Sequence, residues 1–304
     1  MTSEPVPLHI VSGKGGTGKT TVAAAVAYAL ARDGARVLLC EVEGRQAIAE
    51  FFATSSLGDT EQRVLASVGG GRLVGQSVVA THALREYLTR VSRTPLAGQI
   101  LDKVGLVDFA ATIAPGLRDL LLLGMVYDAV QAKPKGRTPA YDAVVLDAPP
   151  TGRLTNFLDI HTAVADLARS GPIHSQARSI AEVMQRPQTR VHLVSLLADL
   201  PATETIEAAA ELERIGVAVG AVITNRVLPA DLVPDHLDRG TAPWQQQLAA
   251  EVGLVRDRHQ HEQSALARLQ AVDRPVVSVP ELWTAIDHRN LPALADHVKE
   301  AIHV

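Results

Sequence analysis

The chain has 304 residues, of which 47% are apolar and 20% charged, with a net charge of -4. That is enough apolar material for one large α/β domain or two small ones, and there is no basic field of the kind that holds a nucleic-acid backbone or an anionic membrane, so no nucleic-acid partner is expected. The single cysteine, Cys40, excludes an internal disulfide, a four-thiolate metal site and an iron–sulfur cluster carried by one subunit.

Cys40 also fits a reducing compartment, and Met1–Pro7 has neither the basic nor the apolar region of an export signal, so a cytoplasmic location is expected. The longest apolar stretches, Val22–Ala31 and Leu120–Val126, are shorter than the roughly 18 to 20 residues that cross a bilayer, and no transmembrane segment is expected.

The first predicted strand, Leu8–Ser12, runs into Gly13-Lys14-Gly15-Gly16-Thr17-Gly18-Lys19-Thr20 and then into an alanine-rich helix over Thr20–Arg32. This satisfies G-x-x-x-x-G-K-[ST] in its confirming context, strand before and helix after. Glycines allow the tight turn that points N–H groups inward, and the helix start adds the positive end of its dipole where an anion would sit. The expected ligand is ATP or ADP with Mg²⁺, held by Gly13, Gly15, Gly16, Thr17, Gly18, Lys19, Thr20 and Thr21. Lys19 is expected on the β- and γ-phosphates, and the Thr20 hydroxyl on the metal.

A second strand, Arg36–Val42, is followed by Glu43-Gly-Arg-Gln-Ala-Ile-Ala-Glu50. From Arg72 to Lys133 the rhythm changes to one candidate strand and then a helix-rich stretch, read as an insert. Its last part, Pro115–Val130, offers Pro as a helix start and carries more leucines than one narrow stripe requires. A polar loop, Gln131–Ala140, returns to the core. The apolar strand ending in Asp147 puts a carboxylate where Mg²⁺ or its water would be held beside the phosphate loop. A helical stretch over Leu154–Gln185 follows, then strands Val191–Leu197, Val217–Thr224 and Pro275–Val279. A helix is predicted over Arg256–Leu269, and its His259 and His261, two residues apart, cannot face one ligand together. Leu291, Leu294, Val298 and Ile302 mark a docked terminal helix.

Strands alternating with helices, several of them apolar throughout, predict a doubly wound, mostly parallel α/β sheet of P-loop NTPase type with a helical insert subdomain. A single domain over 1–304 is expected, with the insert at 72–133 and 154–188.

Lys14, directly after the first glycine, gives a Lys-Gly-Gly-Thr-Gly-Lys-Thr loop that resembles the deviant P-loop of dimeric ATPases, in which the early lysine reaches the partner's nucleotide. Asp147, Pro150, Thr151, Gly152, Phe157 and Leu158 match the switch II pattern of the arsenite-pump and tail-anchored-protein-targeting ATPases, with Arg153 in place of its His and Ala148 in place of its Thr. The chain also resembles the actinobacterial single-domain members described as anion-transporting ATPases. The resemblance implies a catalytic set of Lys14, Lys19, Glu50 and Asp147, with Glu50 in place of the switch I Asp that positions the attacking water. It also implies that Asn225 and Pro280 contact the base and that Thr20 and Asp147 hold the metal.

The implied partner is a second copy or a related ATPase subunit, and the expected client is a hydrophobic helix or membrane-protein segment, bound and released with the nucleotide. The leucines of Pro115–Val130 are expected either to line a groove for that client or to pack the insert itself. A partition- or septum-site-like positioning ATPase and a nucleotide-binding subunit with weak hydrolysis stay open as alternatives. Arsenite binding is not expected, because it needs several soft thiolates.

Overall fold

The computed structural model describes residues 6–65, 68–92, 115–132, 139–159, 172–234 and 242–302. β1 (Leu8–Gly13) is buried at every position, as an apolar strand covered on both faces must be. It leads through the glycine loop to α1 (Lys19–Arg32) and on to β2 (Arg36–Val42) and the short α2 (Ala47–Phe51). β3 (Gln62–Arg63) and β4 (Arg72–Val78) follow, then α3 (Ala80–Ser92), α4 (Pro115–Gln131), β5 (Ala143–Asp147), α5 (Thr151–Leu158) and α6 (Pro172–Met184). The remainder is β6 (Thr189–Leu196), α7 (Asp199–Arg214), β7 (Val219–Val227), α8 (Pro243–Gln270), β8 (Val276–Pro280) and α9 (Leu291–Ile302).

The eight strands form one sheet in the order β3-β4-β2-β5-β1-β6-β7-β8. Every pairing is parallel except β3 with β4. The order reverses about β1, so chain leaving β1 and chain leaving β5 meet at one edge, where open α/β sheets bind ligands.

Alternate side chains of each strand point to opposite faces. On one face Leu8, Ile10, Leu38, Val144, Leu146 and Leu193 meet α4, α5, α6 and α7. On the other, Val11, Val37, Leu39, Val145, Val194 and Ile223 meet α1 and α9. The alanines of α1 present little bulk on that second face, and the terminal helix seats Leu291, Leu294 and Val298 there.

The candidate strand at the start of the insert is β4, paired parallel with β2 within the main sheet. The helix read over Leu154–Gln185 is present as α5 and α6, and residues 160–171 between them lie outside the described residues. Much of the predicted insert, residues 93–114, and most of the 131–140 loop do so as well. The leucines of α4 take the packing alternative: Leu120, Leu122 and Leu123 are buried against the sheet, and Leu121 against Ala83 and Leu84 of α3. α8 runs on from Pro243, well before the predicted start at Arg256. No described helix is long and apolar enough to cross a membrane.

Candidate nucleotide site

The glycine loop leaves β1 where its last residue, Gly13, is in register with Val194 of β6. A Cβ at Gly13 would collide with the Val194 carbonyl oxygen, so close strand approach requires glycine there. Gly18 caps α1 in the left-handed region, at φ 89°, which turns the chain sharply enough to start the helix at Lys19. Thr17 Oγ1 donates to the Lys14 carbonyl oxygen at 2.9 Å, and Asn225 Nδ2 donates to the Thr17 carbonyl oxygen at 2.8 Å. The loop is thus closed from within and braced from β7.

Three segments converge beside it. Asp147, at the end of β5, is fully buried and in register with Val11 of β1 and Glu41 of β2. Thr20 Oγ1 donates to Asp147 Oδ2 at 2.7 Å. Asp147 Oδ1 is buried with no hydrogen-bond partner among the described residues, an expensive arrangement for a carboxylate. A buried carboxylate oxygen left free beside a threonine hydroxyl fits a small, oxygen-seeking divalent cation.

Burial pushes the Asp147 carboxyl above its ordinary value, against the pull of Arg45, the Thr20 hydroxyl and Lys19. Burial likewise holds the Lys19 ammonium below its usual value, with Asp147 opposing the shift. Lys19 Nζ donates to the Lys14 carbonyl oxygen at 3.3 Å, so it lies along the cradle.

Asn225, Pro280 and Thr21, far apart in sequence, line one cavity of about 270 Å³ with Arg226 and Leu282. It opens next to the start of α1. Lys14 points elsewhere: its Nζ lies 2.5 Å from Glu204 Oε1 on α7. Glu50 is exposed on α2, and the structure shows no side-chain bond from it to the phosphate loop among the described residues.

Sequence reasoning missed several charged groups. The Arg45 guanidinium reaches the Asp147 carbonyl oxygen at 3.0 Å and its Oδ2 at 3.5 Å. Glu41 is buried and accepts from the backbone N–H groups of Gln46 and Ile48 and from the Ser77 hydroxyl. Arg153 joins Glu43, in the loop after β2, to Asp119 of α4, the latter at 2.6 Å. Arg153, six residues past the carboxylate that ends β5 and standing where the resembled switch II pattern has His, is the one sequence signal for this junction.

A phosphate cradle at a helix start, a metal-fitting carboxylate one strand away and a doubly wound parallel sheet define a P-loop nucleotide-hydrolysing protein. Residues 8–170 match the anion-transporting ATPase family, and the chain belongs to that family and is an ATPase. It is 39% identical to ATPase BagA of Mycobacterium tuberculosis, over 97% of this chain and 93% of that protein. A putative arsenical pump-driving ATPase of Aquifex aeolicus is 26% identical over 71% of this chain and 79% of its own length. An arsenical pump-driving ATPase of Escherichia coli is 27% identical over 75% of this chain but 40% of its own length.

Proposed function

We propose that the chain is a Mg²⁺-dependent ATPase working as a nucleotide-driven dimeric switch that binds and releases a hydrophobic client. In this reading the amides of Gly13–Thr21 and Lys19 hold the phosphates, Thr20 and Asp147 hold Mg²⁺, and Asn225 with Pro280 borders the base. Bound there, the metal supplies charge neutralisation of the phosphates.

The observation that carries the switch is the Arg153 junction. One guanidinium ties the loop after β2, which flanks the phosphates, to Asp119 on α4, the helix at the heart of the insert. Asp119 is only 6% exposed, so breaking its pair leaves a buried carboxylate uncompensated. Made or broken, such a pair changes the charge balance on α4, which is the kind of local change a switch can use. Lys14 supports the dimer: held on α7 by Glu204, it is turned from its own cradle and free to serve another chain's nucleotide when that pair opens.

The client reading follows from α4. Its apolar side chains are closed against the sheet and α3, and in this reading a shift of Asp119 uncovers them. The test is sedimentation of the full chain with Mg²⁺ and a non-hydrolysable ATP analogue, alongside photocrosslinking from position 125 to an apolar helical peptide. A dimer and an adduct, both dependent on the nucleotide, are expected. Lys14→Ala should bind nucleotide normally but hydrolyse it at least about tenfold more slowly. A particle that stays monomeric under every nucleotide removes the homodimeric switch, and the absence of any adduct removes the client.

A second reading, a weakly hydrolysing subunit paired with a related chain, is favoured by one feature. The exposed Glu50 carboxylate is not held towards the phosphates, as a water-positioning group would be. Equal single-turnover rates in wild type and Glu50→Ala would support that reading.

A further inference from the structure

The loop after β2 is built with unusual firmness for a surface turn. Glu43, Gly44 and Gln46 all take left-handed backbone conformations, at φ 75°, 66° and 59°, which residues other than glycine rarely adopt. Such clusters persist only where the surroundings over-determine them, and here they do. The Glu41 carboxylate accepts from the Gln46 backbone N–H at 2.6 Å and from that of Ile48 at 3.1 Å. The Gln46 side chain donates to the Leu57 carbonyl oxygen and accepts from the Leu57 N–H.

The residue in the middle of this anchored loop is Arg45, and its guanidinium is delivered to Asp147, touching both the backbone oxygen and Oδ2. The pair is asymmetric: the Arg45 side chain is 31% exposed and that of Asp147 is fully buried. Arg45 can therefore leave for water at little cost, whereas Asp147 cannot remain charged without a cation.

We propose that Arg45 is a positioning residue that serves as the resident counter-ion of the metal site, neutralising Asp147 until Mg²⁺ arrives with the nucleotide and displaces it. The proposal rests on the nucleotide reading given above and deepens it. A guanidinium 3.5 Å from Oδ2 and a divalent cation bound to the same carboxylate repel each other in a poorly solvated site, so the two occupy Asp147 in turn. The free Oδ1 and the Thr20 hydroxyl are then left for the metal, and the empty site never holds a bare buried charge.

The competition has a sign that a scaffolding role lacks. Removing Arg45 should make the metal bind more tightly, whereas loss of a merely structural contact would loosen the loop and weaken binding. The probe is Mn²⁺, with the free ion counted by electron paramagnetic resonance, titrated into full-length protein saturated with ADP. ADP is chosen because it lacks the terminal phosphate, which a displaced guanidinium could otherwise contact.

Arg45→Ala should bind Mn²⁺ about tenfold more tightly than wild type, the scale of one charge-assisted hydrogen bond. Arg45→Lys should fall between the two. If Arg45→Ala does not fold, judged by circular dichroism, Arg45→Gln carries the same comparison. Unchanged or weaker Mn²⁺ binding in a variant that still takes up ADP overturns the proposal, as does failure of both neutral variants to bind ADP. Failure of wild type to bind ADP would instead bring down the nucleotide reading on which it rests.

Discussion

The phosphate edge of the sheet and the helical layer over its face are built from opposite materials. At the edge, around the ends of β1, β2 and β5, polar groups are crowded and incompletely matched. Asp147 keeps a buried oxygen with no hydrogen-bond partner among the described residues, Lys19 is held below its usual basicity, and three of the four turn positions 43–46 are left-handed. In the layer of α4, α5 and α6, Leu122, Leu123, Leu154, Phe157 and Ile180 are almost fully buried and in mutual contact through one core. The contrast separates two uses of burial. In the layer, burial stabilises the chain; at the edge, it costs stability and leaves charge in a place where a ligand can complete it.

The sharpest way to break the comparison is at Lys19. Lys19→Ala should lower ATP hydrolysis by about 10²- to 10³-fold, read from phosphate release, while the urea midpoint stays close to that of wild type. A large fall in stability would mean that the edge carries the fold as well as the chemistry. Leu122→Ala makes the reciprocal case. Its side chain is fully buried, and a cavity there should cost about 2 to 5 kcal/mol in urea unfolding, with the turnover of the protein that remains folded unaltered. Reduced turnover at constant folded fraction would show that the packing of α4 is coupled to the phosphates.

The smallest effect concerns two buried histidines on neighbouring strands, His9 of β1 and His192 of β6. His9 and His192 stack with ring centroids 5.4 Å apart, and His9 Nδ1 lies 3.1 Å from His192 Nε2. Burial, with His9 and Arg190 adding to it, pulls His192 down to about 3. It is therefore neutral in the folded chain while the unfolded chain takes up a proton below about pH 6.5. Stability is full above that pH and is lost as the pH falls, by about 1.4 kcal/mol for each unit well below the unfolded value. His192→Gln should flatten this acid limb in urea titrations between pH 6.5 and 5. An unchanged slope would locate the acid sensitivity elsewhere.

Much of the fold was legible because its signals are local. The limits of β2 coincide with the predicted strand, β5 ends at Asp147 as predicted, and β1, β6, β7 and β8 differ from the predicted strands by a few residues. The phosphate loop was legible for the same reason: eight consecutive residues carry the turn, the lysine and the threonine hydroxyl. Pairwise encounters were harder. Thr20 lies 127 positions from Asp147, Arg45 lies 102 from it, and Lys14 lies 190 from Glu204; nothing in either partner's neighbourhood announces the other. The leucines of α4 were ambiguous because a helix apolar on several sides is equally a core element and a binding surface until its neighbours are placed.

The sequence alone determined the architecture and the presence of a phosphate cradle, since hydrophobic period, glycine spacing and helix starts act over a few residues and need no distant partner. Tertiary structure alone decided which charges meet: Arg45 on Asp147, Lys14 on Glu204, and Arg153 between Glu43 and Asp119. The reason is physical. An ion pair draws its strength from separation and from exclusion of water, and both are set by strands that the chain brings together only when the whole sheet closes.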